Sequence, residues 1–157
     1  MIEREQMQYD YLVVGAGPAG LASAIRLKQL QPEASVCVLE KAASLGAHSI
    51  SGAVLEPRPL DTLLPQWREQ YTGMKIPATS DEFRYLTRTR SFRLPLPPTL
   101  RNHGNFIVSL SQLTTWLGAQ AENLGIDIFP GFAAAHPLYN QGKVIGVQIG
   151  DMGLNAD

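Results

Sequence analysis

Tyr11-Leu12-Val13-Val14-Gly15-Ala16-Gly17-Pro18-Ala19-Gly20 decides the fold, read together with Val36-Cys37-Val38-Leu39-Glu40 about twenty residues on. An apolar strand turns sharply at Gly15, Gly17 lets backbone approach a pyrophosphate, and Gly20 lets the following helix lie close to the strand. The phosphates then meet a helix N-terminus, where unpaired N–H groups and the positive end of the helix dipole favour an anion. Glu40 ends the second strand, where a carboxylate accepts the ribose hydroxyl protons and repels a 2′-phosphate. Leu21, Ala24 and Ile25 keep helical spacing up to Pro32, and Ala24 and Ala22 keep that helix thin against the sheet. These features predict a β-α-β dinucleotide site over residues 9–41, a pattern that serves FAD and NAD alike.

Outside that unit the composition removes several classes of function. Thirteen basic and fourteen acidic residues nearly cancel, so nothing points to nucleic acid as a partner. The polar start Met1-Ile2-Glu3-Arg4-Glu5-Gln6 has neither the apolar core of a secretory signal nor an Arg/Ser-rich transit pattern. No apolar run approaches the ~20 residues that span a bilayer, so membrane contact is expected to be peripheral. The single cysteine, Cys37, lies between two valines and reads as a compact core residue. This chain by itself therefore offers no disulfide, thiolate zinc site or iron–sulfur cluster.

From about residue 42 to 101 the pattern changes. Pro57, Pro59, Pro65, Pro77, Pro95, Pro97 and Pro98 interrupt regular structure, which predicts an excursion inserted between sheet strands. Within it, Leu60, Leu63, Leu64 and Trp67 share one face of a short helix expected over 58–67. Residues 83–96 read as a hairpin or two short strands that expose Arg84, Arg88, Arg90 and Arg93. Regular structure is expected to return over 102–150. Phe106-Ile107-Val108 begins it, and Ser109 with Gln112 resembles a capping box. Leu110, Leu113, Leu117, Ala121 and Leu124 form a stripe that stops at Gly125. Ile126 to Phe129 forms a strand, and a hairpin turns at Asn140-Gln141-Gly142, with Ile145, Val147 and Ile149 alternating on one face. A doubly wound domain buries both sheet faces, and residues 150–157 supply no further strand or helix. The domain thus reads as incomplete.

With these landmarks in place, the sequence resembles the N-terminal part of the electron transfer flavoprotein–ubiquinone oxidoreductase family. The likeness is carried by GAGPAGLASAIRLKQL (15–30), VLEKAASLGAHSISGAVLEPRPLDTLLPQW (38–67), NHGNFIVSLSQLTTWLGAQAENLGI (102–126) and FPGFAAA (129–135). The Gly-rich fingerprint is shared by many flavoproteins, whereas GAHSISGAVLEP and the pair NHGN with WLGAQAE are far more specific. The resemblance implies an α/β fold: a Rossmann-like FAD-binding domain of the glutathione-reductase type, incomplete and carrying the Pro-rich excursion. It implies FAD with Gly15, Ala16, Gly17, Pro18, Ala19 and Gly20 at the pyrophosphate, Glu40 on the adenosine ribose and Lys41 beside it. Gly46, Ala47 and the loop His48-Ser49-Ile50-Ser51-Gly52 are implied at the flavin end.

By the same resemblance, electrons pass from reduced electron transfer flavoprotein to ubiquinone, with a four-iron cluster as a further redox centre held outside this region. The enzyme is implied to be peripheral, on the cytoplasmic side of the inner membrane in bacteria. Leu60, Leu63, Leu64 and Trp67 then become candidates for membrane contact as a short interfacial helix. The four arginines read as solvated hairpin charges that deter strand pairing, or as a docking patch for an acidic partner or lipid headgroups.

His48, His103 and His136 have no ligand partners at recognisable spacing, so packing or neutral hydrogen-bonding roles are expected. Ser49, Ser51, Ser109 and Ser111 lack a nucleophile-elbow context. No general acid, base or nucleophile is therefore assigned, because the cofactor carries the chemistry of electron transfer. The rival readings are another FAD-dependent reductase or monooxygenase, and a standalone nucleotide-binding module or gene remnant without turnover.

Overall fold

The computed structural model describes residues 5–50 and 52–150. Ser51 of the expected flavin-side loop lies outside them, as do residues 1–4 and 151–157. The chain divides into a larger unit, residues 1–49 with 111–157, and a smaller one, residues 50–110.

The larger unit starts with β1 (Tyr11–Val14), α1 (Pro18–Leu30) and β2 (Val36–Glu40). β1 pairs in parallel with β2, Tyr11 opposite Val36, and β2 pairs in parallel with β8 (Asp127–Pro130), Cys37 opposite Asp127. The sheet order β1-β2-β8 makes β2 central. Its first four residues are all buried, which accounts for an apolar run without alternation. α1 begins on Pro18, where a missing N–H costs nothing, and closes with Gln31 N–H donating to the Leu27 carbonyl just before Pro32. Its inward stripe Leu21, Ala24 and Ile25 is fully buried, worth roughly 1.5–3 kcal/mol for each of the two larger side chains.

α4 (Leu110–Asn123) returns the chain to this unit and buries Leu113, Leu117 and Ala121. It closes in a Schellman motif: Gly125 N–H donates to the Glu122 carbonyl and Ile126 N–H to that of Ala121. Leu124, the last member of the expected stripe, is consequently outside the helix and exposed. Ile126 is buried at the turn, and the strand starts one residue later than expected, at Asp127. β9 (Ala134–Asn140) and β10 (Lys143–Ile149) form the expected hairpin. Its register slips between Val144 and Gly146, so Ile145 is the extra residue of a bulge and stands exposed, out of phase with Val147 and Ile149.

The smaller unit corrects the expected boundaries. β3 (Ala53–Leu55) and β4 (Lys75–Pro77) both pair antiparallel with β7 (Phe106–Val108). β7 was expected to begin the returning part; it is instead the middle strand of this second sheet. Residues 42–49, expected in the excursion, stay with the larger unit. The helix expected over 58–67 is two pieces, α2 (Pro57–Leu63) and α3 (Trp67–Gln70). Pro65 causes the break, because the residue before a proline is driven out of helical geometry, and Leu64 has φ −137 and ψ 80.

Trp67 is wholly buried and Leu60 nearly so, with Leu63 and Leu64 half-buried. The expectation that Leu60 and Trp67 contact a membrane is therefore withdrawn: the stripe packs into its own unit. The Trp67 ring meets Phe106 edge-on at 5.8 Å, its indole N–H donates to Asp61 at 2.6 Å, and Arg68 and Lys75 lie 5.0 and 5.3 Å from its centroid. Such cation–π contacts and a satisfied indole N–H belong to a packed anchor. β5 (Phe83–Leu86) and β6 (Ser91–Leu94) form the expected arginine hairpin, exposed along both strands.

Candidate functional site

The turn after β1 and the end of β2 build one recess in the larger unit. Gly15 takes φ +100, and its N–H donates to the Leu39 carbonyl at 2.7 Å, fixing the turn against β2. A side chain at Gly20 would place Cβ 2.0 Å from the Gly15 carbonyl oxygen, so the turn and α1 interlock only with glycine there. At Gly17, by contrast, a Cβ would meet nothing within 4 Å. That open space lies at the N-terminus of α1. Gly17 supplies no side-chain cap and the first turn has no acidic residue, so no side chain of α1 itself occupies its N-terminus, where an anion is favoured.

Glu40 is clamped by the backbone. Ala16 N–H donates to Oε2 at 2.9 Å and Ala42 N–H to Oε1 at 2.8 Å. Burial pushes the carboxyl up, but the bonds from Ala42 and Ala16 and the charges of His48 and Lys41 outweigh it and hold the carboxyl below its ordinary value. A carboxylate offers about four lone-pair directions. With one used on each oxygen, each oxygen can accept one hydroxyl proton more, which matches the paired hydroxyls of a ribose. A dinucleotide thus fits on three counts: room at Gly17, a helix N-terminus without a side-chain cap, and an ionised acceptor held in place.

Of the residues expected at the cofactor, Ala16, Gly17, Glu40, Lys41, Gly46 and Ala47 line this recess together. Gly15 shapes it from behind, and Pro18, Ala19 and Gly20 form the first turn of α1. Gly46 and Ala47, implied at the flavin end, line the same recess as Glu40 and Lys41. Ala42, His48, Ser49 and Thr114 also line it. His48 and Ser49 belong to the loop that the resemblance implied at the cofactor, whereas sequence reading assigned neither Ala42 nor Thr114 to it. For Ala42 the signal available was position, in the segment that leaves Glu40, although nothing local marks Thr114 on α4. Cys37 is buried in β2, and burial, with the nearby Asp127 charge, pushes its thiol up to about 11, which suits packing and not thiolate chemistry. His103 and His136 do not line the recess.

Residues 13–74 match the family described as NAD(P)-binding Rossmann-like domain. The chain is 53% identical over 159 residues to the mitochondrial electron transfer flavoprotein-ubiquinone oxidoreductase of Arabidopsis thaliana, covering 98% of this chain and 25% of that protein. It is 47% identical over 166 residues to the probable electron transfer flavoprotein-ubiquinone oxidoreductase of Acinetobacter baylyi, covering 99% and 29%. The family resemblance read from the sequence is thus matched along nearly the whole chain, and the chain spans about a quarter of the length of these relatives. Among solved structures, a geranylgeranyl bacteriochlorophyll reductase-like protein from Thermoplasma acidophilum aligns with a TM-score of 0.66 at 21% identity, over 90% of this chain and 34% of that one. A myxobacterial chondrochloren halogenase, a variant of FAD-dependent halogenases, aligns with a TM-score of 0.66 at 20% identity, over 92% and 33%. These two likenesses carry the fold, which is Rossmann-like α/β.

Proposed function

We propose that this chain is the FAD-binding part of an oxidoreductase that passes electrons from reduced electron transfer flavoprotein to ubiquinone. The observation that carries the reading is the clamped Glu40 carboxylate facing the open α1 N-terminus in one recess. The near-complete match to relatives of that name supports FAD over NAD. Bound FAD would supply reversible electron uptake and release. The chain's own residues bind and orient: the Gly17 end of α1 takes the pyrophosphate, Glu40 the ribose hydroxyls, and Lys41 adds positive charge beside them.

A four-iron cluster in the complete protein would need cysteines outside this chain, whose single thiol is buried. Among the described residues no helix is long and apolar enough to cross a membrane. We place the complete protein peripherally, on the cytoplasmic face of a bacterial inner membrane. With Leu60 and Trp67 buried, the exposed arginine hairpin is the better candidate for meeting anionic headgroups. Phe83, Tyr85, Phe92 and Leu94 share one of its faces, and Arg84 and Arg93 the other.

FAD binding by the chain, followed by flavin fluorescence, tests the cofactor reading. Reduction of a ubiquinone analogue by reduced electron transfer flavoprotein, catalysed by the gene's complete product, tests the activity. FAD binding without that turnover would favour another FAD-dependent enzyme or a bare nucleotide module. No FAD binding would remove the cofactor reading.

A further inference from the structure

We propose that Gly118 of α4 is a positioning residue for the cofactor recess: by omitting a side chain it gives Leu45 a seat, and Leu45 holds in place the wall formed by residues 46–49. The inference rests on the dinucleotide reading of the recess and adds a residue that does not itself line it.

A glycine inside a helix calls for a reason, because it loses backbone entropy that alanine would keep. Gly118 lies in the interior of the fourteen-residue α4 and is buried. A Cβ built on it would stand 2.1 Å from Leu45 Cδ1 and 3.6 Å from Leu45 Cγ, with Ile128 Cδ1 of β8 4.0 Å away. The leucine methyl thus fills the notch that the absent side chain leaves beside β8. Ser111, Thr115 and Gly118 follow at helical spacing and share one face of α4, and the other two also meet the loop. The Thr115 hydroxyl lies 3.1 Å from the Leu45 carbonyl and 3.0 Å from that of Ser111, one proton serving both acceptors. A Cβ at Gly46 would lie 2.6 Å from the Ser111 carbonyl oxygen, so loop and helix backbones touch there.

Leu45 sits directly before the residues that face the recess. Ala47 N–H donates to the Ser44 carbonyl at 3.3 Å and Ser49 N–H to that of Gly46 at 3.0 Å, which folds 44–49 into two tight turns. Those turns carry Gly46, Ala47, His48 and Ser49 onto the wall, and α4 sets where they stand. A methyl at position 118 and the Leu45 side chain cannot share the notch. Leu45 is only half-buried, so its side chain has room to swing out, and the loop shifts with it. The helix meanwhile loses nothing by the exchange, since alanine is the better helix former. Gly118 is thus a place where the recess wall can be displaced with the fold left nearly intact.

The test is FAD binding to the 157-residue chain by fluorescence titration, with urea unfolding in parallel, for the wild type, Gly118→Ala, Leu45→Ala and the double variant. Gly118→Ala is expected to bind FAD about three- to thirtyfold more weakly. Its urea midpoint should stay near the wild-type value, because the gain in helix propensity works against the lost leucine packing. Leu45→Ala should weaken binding as well. In that background Gly118→Ala should change the affinity by less than about twofold, since the methyl then has the notch to itself. Without FAD, the Ala47 and Ser49 amides should exchange with solvent faster in Gly118→Ala than in the wild type. Wild-type affinity in Gly118→Ala, an equal loss in both backgrounds, a midpoint that falls in step with affinity, or unchanged exchange at Ala47 and Ser49 would each overturn the inference while leaving the dinucleotide reading standing. Failure of the wild type to bind FAD would remove the dinucleotide reading, and this inference with it.

Discussion

Glycine at position 20 and glutamate at position 40 do different work, and substitution separates them. Gly20→Ala puts a methyl 2.0 Å from a backbone oxygen, a clash that no side-chain rotation relieves. The turn and α1 must part, at a cost of about 1–3 kcal/mol or more. The expected result is a lower urea midpoint together with lost FAD affinity. Gly17→Ala should leave the midpoint nearly unchanged, since its Cβ meets nothing, and impair only cofactor approach. Equal loss of stability in both would contradict the assigned roles. Glu40 predicts a pH signature. Its folded pKa is depressed below the ordinary 4.5, so its stabilisation is fully present above that value and is lost as pH falls through the folded pKa. Urea unfolding of wild type and Glu40→Gln should therefore show a stability gap near neutrality that narrows below about pH 4.5. A constant gap would mean that the two backbone bonds do not favour the ionised form.

At the scale of elements, what the sequence disclosed depends on how local the cause was. The β1-α1-β2 unit was legible because each of its signals acts within a few residues: Gly15 at the turn, the helical spacing of Leu21, Ala24 and Ile25, the apolar run 36–39. α4 was legible for the same reason, down to Gly125 in its cap. The Leu60–Trp67 stripe misled because an apolar helix face states only that it will be covered. Burial against Phe106, some forty residues away, is invisible to periodicity, and so is β7 serving β3 and β4 at once. In the site, Glu40 was legible as a strand-ending acid. Ala42 and Thr114 were not, because a loop and a distant helix bring them in. The β9–β10 turn gives a local prediction. Gln141 sits at φ +48, a left-handed conformation that costs a side chain about 1–2 kcal/mol. Gln141→Gly gives back part of its gain as backbone entropy, so a net stabilisation of about 0.5 kcal/mol is expected in thermal unfolding. A fall in Tm would mean that the Gln141 side chain contributes a contact that offsets the strain.

Taken whole, the molecule leaves apolar rows bare within each unit. In the larger, Leu12 and Val14 on β1 are 38% and 59% exposed although they belong to a parallel sheet, an arrangement normally covered on both faces. In the smaller, Val54 and Ile76 both lie opposite Ile107 across β3-β7-β4, giving one exposed row of three β-branched side chains. A chain spanning about a quarter of its relatives' length has such rows available to whatever packs on them, and contiguous bare apolar surface drives association. The chain alone is therefore expected to self-associate in sedimentation velocity as its concentration rises. Val54→Thr, Ile76→Thr and Ile107→Thr combined should reduce that association while changing unfolding free energy by no more than about 0.5 kcal/mol per site. Threonine keeps the β-branched shape that suits a strand and removes only the apolar surface. In a protein of the relatives' length the same three substitutions should cost more if the row is covered there, because each would then bury an unpaired hydroxyl. A triple variant equally destabilising in both settings would show that the row is already packed within these 157 residues.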